Sequence, residues 1–305
     1  MKVLLTGATG FVGTYVTEAL LDAGHEVRAL VRAGSEGQLN MADRVEIAHG
    51  DITDPASLPQ VMEGIEAVVH LVGIIEEKKS KGVTFERIHV EGTRNVVSAA
   101  RASGVQRFVH MSANGARPGA PSRYLTTKWE AEDIVRTAGF HNVAVFAPSI
   151  LFGDPGEGRP EFASQLYRTL IKPFPILPIL GDGKYLLQPI GVREVAKAFA
   201  KALDLEGAGH RFCAAGPEAL TFNEVVDRIS RGAGISPKRK VHQPLFLARA
   251  LVNTAGRAGL LPISPAQFEM LLAGNVCDPA AFNTTFEPAR VPFTPEHLGY
   301  VADRA

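Results

Sequence analysis

Short apolar runs alternate with stretches of helical spacing along the first half of the chain. Residues 2–6, K-V-L-L-T, form a run rich in Val and Leu that suits a strand buried on both faces. Residues 11–23 then carry apolar positions at helical spacing, and Gly24 closes that helix. Residues 26–31 predict a second strand, 45–48 a third and 67–72 a fourth. A charged segment, E-E-K-K-S-K-G, separates the fourth from a long helical pattern over residues 84–102, which Gly104 ends. Residues 108–111 and 142–146 predict the fifth and sixth strands. Strand and helix in strict alternation predict an α/β fold built on a doubly wound parallel sheet.

From Gly153 that alternation fails. Residues 153–158 are glycine-rich and acidic, and 171–183 are rich in proline. Residues 188–204 return to a strand–helix pattern that is expected to rejoin the main sheet. Residues 211–215 predict a further short strand, and Thr221 a capped helix running through Arg231. The first domain is therefore expected to comprise residues 1–152 with 187–215, and a smaller lobe 153–186 with 216–305. Within the lobe, the P-K-R-K segment from Pro237 reads as a solvated loop. Residues 244–261 read P-L-F-L-A-R-A-L-V-N-T-A-G-R-A-G-L-L, with Arg249, Asn253 and Arg257 four apart on one narrow face. Such a helix either packs against its own domain or docks on a membrane surface or a protein partner.

A chain of 305 residues can bury a large core. Lys plus Arg and Asp plus Glu stand at 32 each, so no global field favours nucleic acid or an anionic membrane. Cys213 and Cys277 lie far apart without metal-ligand spacing, which suits a reducing compartment. The first strand begins at Lys2, so no secretory leader is expected, and no stretch is long and apolar enough to span a bilayer. A cytoplasmic location is the expectation that follows.

Gly7, Gly10 and Gly13 are spaced three apart between the first strand and the first helix. Gly7 permits a tight turn, Gly10 lets a pyrophosphate approach the backbone, and Gly13 lets the helix pack closely on the strand. The unpaired N–H groups of that helix then face the anion. A glycine triplet alone also marks ordinary turns, but here it joins a strand to a helix, the context a dinucleotide site requires. Thr9, Phe11 and Val12 belong to the same turn. The second strand ends with Arg28 and Arg32 and no carboxylate before Glu36, where an arginine can hold the 2′-phosphate of NADP. NADP is the expected cofactor, with NAD the alternative. Asp51 ends the third strand, beside Ile52, as either a turn-forming aspartate or an adenine ligand. Leu71, Val72 and Gly73 end the fourth strand, where a bare backbone can pass close to a cofactor, and Pro148 follows the sixth. The charged segment after Gly73 is either a solvated loop or a lid.

Tyr124 and Lys128, in S-R-Y-L-T-T-K-W, are four apart and share one face of a helix. A phenol is a poor acid at neutral pH, and a nearby ammonium favours the phenolate, making tyrosine a usable general acid or base. Lys128 could also hydrogen-bond the cofactor ribose, and Ser112, ending the fifth strand, could orient a substrate oxygen. Y-x-x-x-K on its own is a common surface pair; five alternating strands and a glycine turn before it make it a catalytic candidate.

These motifs together resemble a short-chain dehydrogenase/reductase of the extended or atypical kind, similar to the NAD-dependent epimerase/dehydratase group. The residues carrying the resemblance are T-G-A-T-G-F-V-G, G-D-I-T-D, H-V-E-G-T-R-N-V, R-F-V-H-M-S-A, Y-L-T-T-K and P-S-I-L-F-G. L-P-I-L-G-D-G-K-Y-L-L-Q-P-I and L-L-A-G-N-V-C-D-P further resemble the branch holding the nucleotide-binding accessory subunit of respiratory complex I and its bacterial relatives. The resemblance implies a Rossmann-type sheet with a smaller C-terminal substrate lobe, and hydride transfer between NADP(H) and a carbonyl or hydroxyl substrate. It implies catalytic roles for Tyr124, Lys128 and Ser112, and a small-molecule partner such as a nucleotide sugar, a small carbonyl or a quinone-related compound. It also implies an alternative, since members of the complex I branch hold NADPH as a structural ligand. Phe152, Phe162 and Tyr185 are then either substrate-lobe lining or plain core. Two departures stand out: His89 replaces the usual asparagine of N-V-x-G-T, and Ala113 replaces a second serine or threonine beside Ser112. His89 either relays a proton or packs.

Overall fold

The computed structural model describes residues 1–246, 271–272 and 274–304. Two compact units emerge, the first formed by Met1–Pro148, Val192–Ala214 and Ala280–Pro288 and the second by Ser149–Gly191, Ala215–Pro279 and Ala289–Ala305.

The first unit is built on seven strands: β1 Lys2–Thr6, β2 Glu26–Val31, β3 Glu46–His49, β4 Ala67–His70, β5 Arg107–Met111, β6 Asn142–Pro148 and β7 His210–Ala214. They lie in the order β7-β6-β5-β4-β1-β2-β3, and every pairing is parallel. The chain winds outward from β1 to β3, returns to β4 and winds the other way, so the order reverses between β1 and β4. A crevice at the carboxyl ends of those two strands is where such sheets take ligands. Helices α1 (Phe11–Asp22), α2 (Gly92–Ala102), α3 (Arg123–Thr137) and α4 (Val192–Lys201) cover the two faces. On one face Leu4, Val68, Phe108 and Val145 of the sheet pack with Val96 and Val97 of α2 and Val135 of α3. In the same unit, Phe146 stacks on Phe199 of α4 at 4.4 Å and meets Phe212, Phe282 and Phe286. Burying one such ring contributes roughly 1.5–3 kcal/mol, so this aromatic cluster anchors β6 and β7 together.

Two sequence expectations change here. The strand expected from residue 188 does not rejoin the main sheet. Ile190–Gly191 instead pairs with Leu151–Phe152 in its own short ladder, and β7 takes the place at the sheet edge. The helix expected over residues 84–102 is also not uniform, because Glu86–Glu91 forms a π-helical turn that runs directly into α2.

The second unit has a separate core in which Phe152, Leu177, Ile179, Phe222, Val226, Phe293 and Val301 are buried. Helix Phe222–Gly232 opens with a reciprocal capping box, Thr221 with Glu224. Residues 237–240 correct the solvated-loop expectation. Lys238 Nζ donates to the carbonyls of Ile171 at 2.6 Å and Phe174 at 2.8 Å. Lys240 pairs with Asp227 and opens strand Lys240–Gln243, which pairs in parallel with Leu177–Leu180. Phe152 is core, and Tyr185 packs on Phe222 at 5.0 Å. Neither Cys213 nor Cys277 is a free thiol, which removes the support their spacing gave to a reducing compartment. The apolar segment 244–261 lies outside the described residues from position 247 onward. No described helix is long and apolar enough to cross a membrane.

Candidate functional site

At the carboxyl end of β1, Gly7 takes φ +81°, a conformation that favours glycine, and a Cβ there would meet Leu71 and Val72 at 3.3 Å. Gly7 thus fits between its own turn and the end of β4, whose Leu71 amide donates to the Thr6 carbonyl at 3.2 Å. Gly13 fits for a different reason: a Cβ would stand 2.1 Å from the Gly7 carbonyl, so only glycine lets α1 start this close to β1. Gly10 is the N-cap of α1 with φ −81°, and a Cβ there would meet only the Gly7 carbonyl, at 3.3 Å. It faces open space at the head of a twelve-residue helix with no side-chain cap. A bare, open glycine before uncapped N–H groups is a cradle that a diphosphate fits and a side chain would fill. Thr9, Phe11 and Val12 are half-buried in the same turn.

Beyond β2, an open cleft of about 690 Å³ is lined by Arg32, Ser35, His49, Asp51 and Ser57, among others. Arg32 is exposed and makes no ion pair among the described residues. Asp51 shares this cleft but also holds its own turn, since the Thr53 amide and hydroxyl both donate to Oδ1, at 2.8 and 2.9 Å. Ile52 is placed elsewhere: its side chain joins the core, and its carbonyl accepts from Asn95 Nδ2 at 2.9 Å. Pro148 is buried and its carbonyl accepts from the Asn114 amide.

The reacting candidates gather around the ends of β4 and β5. Lys128 is buried, and its Nζ donates to the Met111 carbonyl at 2.5 Å. Two ammonium hydrogens remain for a ligand. Burial lowers Lys128 to about 8, offset by the charge of Glu132 one turn along α3. A Cβ on exposed Gly73 would lie 3.7 Å from Lys128 Nζ and 3.5 Å from His89 Nε2, so Gly73 keeps open the space these groups face. Ser112, next to Met111, is buried with no partner for Oγ. An orphaned hydroxyl costs roughly 1–3 kcal/mol, which a bound ligand oxygen would offset. Tyr124 is half-buried, and burial pushes its phenol up to about 12. The expected lowering by Lys128 is thus not what the protein alone provides; the phenol is held protonated. The residues present leave room for a dinucleotide: the glycine turn is open to a diphosphate, and Lys128 keeps ammonium hydrogens to spare.

Sequence reasoning passed over His70 and His110, which lie buried beneath this site near His89. His70 is fully buried between Thr6 Oγ1 at 2.7 Å and Thr93 Oγ1 at 3.1 Å. His110 stacks on it at 5.5 Å with both ring nitrogens unpartnered. Burial and the Lys128 charge push His70 down to about 3, and the same causes hold His110 well below the ordinary histidine range. His89, buried on the π-helical turn, accepts from the Ile74 amide at Nε2, at 3.0 Å, and its Nδ1 meets Thr127 Oγ1 at 2.9 Å. Burial and then the Lys128 charge bring it to about 3. Glu132 was missed too; fully buried, it holds Arg211 of β7 through both carboxylate oxygens, at 2.9 and 3.2 Å. An i, i+4 spacing from Lys128 was its signal in the sequence.

A family model described as the NAD dependent epimerase/dehydratase family matches residues 3–215. The chain is 33% identical over 180 residues to the ceramide reductase of Caulobacter vibrioides, covering 59% of this chain and 54% of that one. It thus spans about half the length of that relative. It is 26% identical over 288 residues to the mitochondrial NADH-ubiquinone oxidoreductase 40 kDa subunit of Neurospora crassa, covering 90% of this chain and 72% of that one. Among solved structures, the UDP-glucose 4-epimerase of Thermus thermophilus, in complex with NAD, superposes with a TM-score of 0.75 at 20% identity. That match covers 99% of this chain and 98% of the epimerase, and at this identity it carries the fold.

Proposed function

Since the chain belongs to the NAD-dependent epimerase/dehydratase family, we propose that it is an oxidoreductase exchanging hydride between NADP(H) and a carbonyl or hydroxyl substrate. The observation that carries this reading is the gathering of Lys128, the orphaned Ser112 hydroxyl and the bare Gly73 at the ends of β4 and β5, with Tyr124 on the same helix as Lys128. When bound, the nicotinamide supplies the hydride for reduction, or accepts it for oxidation. Tyr124, protonated in the protein alone, is set to donate its phenolic proton to the substrate oxygen as the carbonyl becomes an alcohol. Ser112 offers that oxygen a second hydrogen bond. Lys128 holds the ribose with its free N–H groups, and the phenolate left after transfer regains its proton from solvent. Arg32, exposed and unpaired among the described residues, favours the 2′-phosphate of NADP over the bare ribose of NAD.

Tyr124→Phe tests the mechanism because it removes one hydroxyl and keeps the ring. The variant is expected to lose roughly 10²–10⁴-fold in turnover, as general acid–base catalysis implies, while the cofactor's dissociation constant stays put. Undiminished turnover in Tyr124→Phe would overturn it. A second reading, a nucleotide-binding structural subunit, is supported by the similarity to the 40 kDa subunit over 90% of this chain. Under that reading no NADPH oxidation appears with carbonyl, sugar-nucleotide or quinone substrates, and only Lys128→Ala alters nucleotide retention.

A further inference from the structure

We propose that His89 is a positioning residue, tying the loop after β4 to the helix that carries Tyr124 and Lys128. The inference rests on the reading of that pair as the reacting groups, although the tether stands on its own geometry. Three hydrogen bonds run in one direction. The Ile74 amide can only donate, so Nε2 of His89 is unprotonated and accepts it at 3.0 Å. The proton of the neutral ring then sits on Nδ1 and is donated to Thr127 Oγ1 at 2.9 Å. Thr127 in turn gives its single hydroxyl hydrogen back to its own helix, to the Arg123 carbonyl at 2.8 Å.

The ring also packs. His89 meets Tyr124 edge-on at 5.6 Å and stacks on Phe85 at 5.5 Å, and Phe85 meets Tyr124 edge-on at 5.8 Å. Tyr124 is therefore wedged by two rings from one stretch of chain, the start of the π-helical turn. That turn, Glu86–Glu91, inserts an extra residue per turn and aims His89 at both partners. Without His89 the Ile74 amide has no partner among the described residues, and the loop beyond Gly73 keeps Phe85 donating to Glu77 at 2.9 Å and Arg87 donating to the Gly82 carbonyl at 3.4 Å. The tether thus sets the spacing between the Gly73 backbone and Lys128, two walls of the crevice that a ligand must enter.

A relay role is incompatible with this arrangement. A ring that passes a proton must protonate or deprotonate at Nε2 or Nδ1, and doing so would break the Ile74 bond or the Thr127 bond. His89 is a fixed strut.

The test compares His89→Leu, His89→Gln and Thr127→Val with the parent, reading amide hydrogen exchange at Ile74 and the dissociation constant of NADPH. His89→Leu keeps an apolar body against Phe85 and Tyr124 but frees the Ile74 amide, whose exchange should quicken at least tenfold. NADPH affinity should fall about tenfold, and His89→Gln, whose amide oxygen reaches the position of Nε2, should recover most of both. Thr127→Val should weaken NADPH binding similarly, and the double variant should be no worse than either single one, as expected for residues acting through one bond. Unchanged exchange at Ile74 in His89→Leu, or fully additive losses in the double variant, overturns the tether. If the parent binds no nucleotide, the functional reading fails instead, and Ile74 exchange with a double-variant cycle in urea unfolding still decides the tether. Where turnover is found, kcat should fall in His89→Leu with both limbs of the pH profile kept. Loss of a limb would mark a relay and overturn the strut.

Discussion

Mild acid is the perturbation that most directly probes the histidine layer. His70 and His89 are buried and held neutral, each with a folded pKa of about 3. In the unfolded chain a histidine titrates near 6.5. As pH falls through that value the unfolded chain takes up protons that the folded chain refuses, so stability is full above about pH 6.5 and drains away below it. At pH 5 the difference is about 2 kcal/mol for each ring, or about 4 kcal/mol for the two. That is a large share of a typical stability of about 5–15 kcal/mol. His110 adds in the same direction. The window is clear of the other perturbed groups nearby, because Tyr124 and Lys128 titrate above it, at about 12 and about 8. Glu161, whose carboxyl burial raises, works the opposite way, so the decisive measurement is a comparison between variants.

Urea unfolding at pH 7, 6 and 5 supplies that comparison, with His89→Gln beside the parent. Removing one titrating ring should flatten the variant's pH dependence by close to one proton, about 1.4 kcal/mol per pH unit below 6.5. Glutamine places an amide oxygen where Nε2 stood and so keeps an acceptor for the Ile74 amide, and the comparison is chiefly of titration. Parallel stability curves for the two proteins would refute the reasoning, because they would mean that His89 titrates alike in both states.

Other substitutions separate the parts of the site. Arg32→Ala should erase most of a preference for NADPH over NADH, a charge-assisted contact worth roughly 1.5–3 kcal/mol; equal affinities in the parent at physiological salt would sink the assignment. Gly10→Val should abolish nucleotide binding in a folded protein, since its φ of −81° suits any residue and its Cβ would meet only the Gly7 carbonyl, at 3.3 Å. Gly13→Ala should instead unfold the first unit, because its Cβ would stand 2.1 Å from a backbone carbonyl; a cooperative melt near the parent's temperature would disprove that. Glu132→Ala should cost about 3 kcal/mol in urea unfolding, the low end for a broken buried pair, since Arg211 still reaches solvent.

What could be read from the sequence was what rests on local chemistry. The strands of the first unit, the glycine turn and the Tyr124–Lys128 spacing are each set by residues within a few positions of one another, and the doubly wound parallel sheet follows from the alternation of strand and helix. Residues 188–191 were misread because a short apolar run does not say which strand it will pair with. Ile190 and Gly191 find Leu151 and Phe152, about forty positions earlier, and nothing local encodes that choice. Lys238 looked like a surface charge for the same reason. Its acceptors, the carbonyls of Ile171 and Phe174, are backbone groups more than sixty positions away.

His89 shows a different limit. Read at 3.6 residues per turn, residues 84–102 form one continuous helix, and the face given to His89 follows from that period. The π-helical turn at Glu86–Glu91 adds a residue, which rotates the face by about 100° relative to an uninterrupted α-helix. An apolar-period argument therefore cannot place this ring, and packing and relay remain indistinguishable from the sequence. Only the partners separate them. One donor that cannot reverse, the Ile74 amide, fixes the tautomer, and the tautomer fixes the direction of every bond that follows. The same argument bears on Tyr124. A lysine four residues along a helix suggests an activated phenol, yet Lys128 directs its ammonium to the Met111 carbonyl while burial keeps the phenol protonated. The spacing identifies the pair, and the surroundings decide which proton the pair begins with.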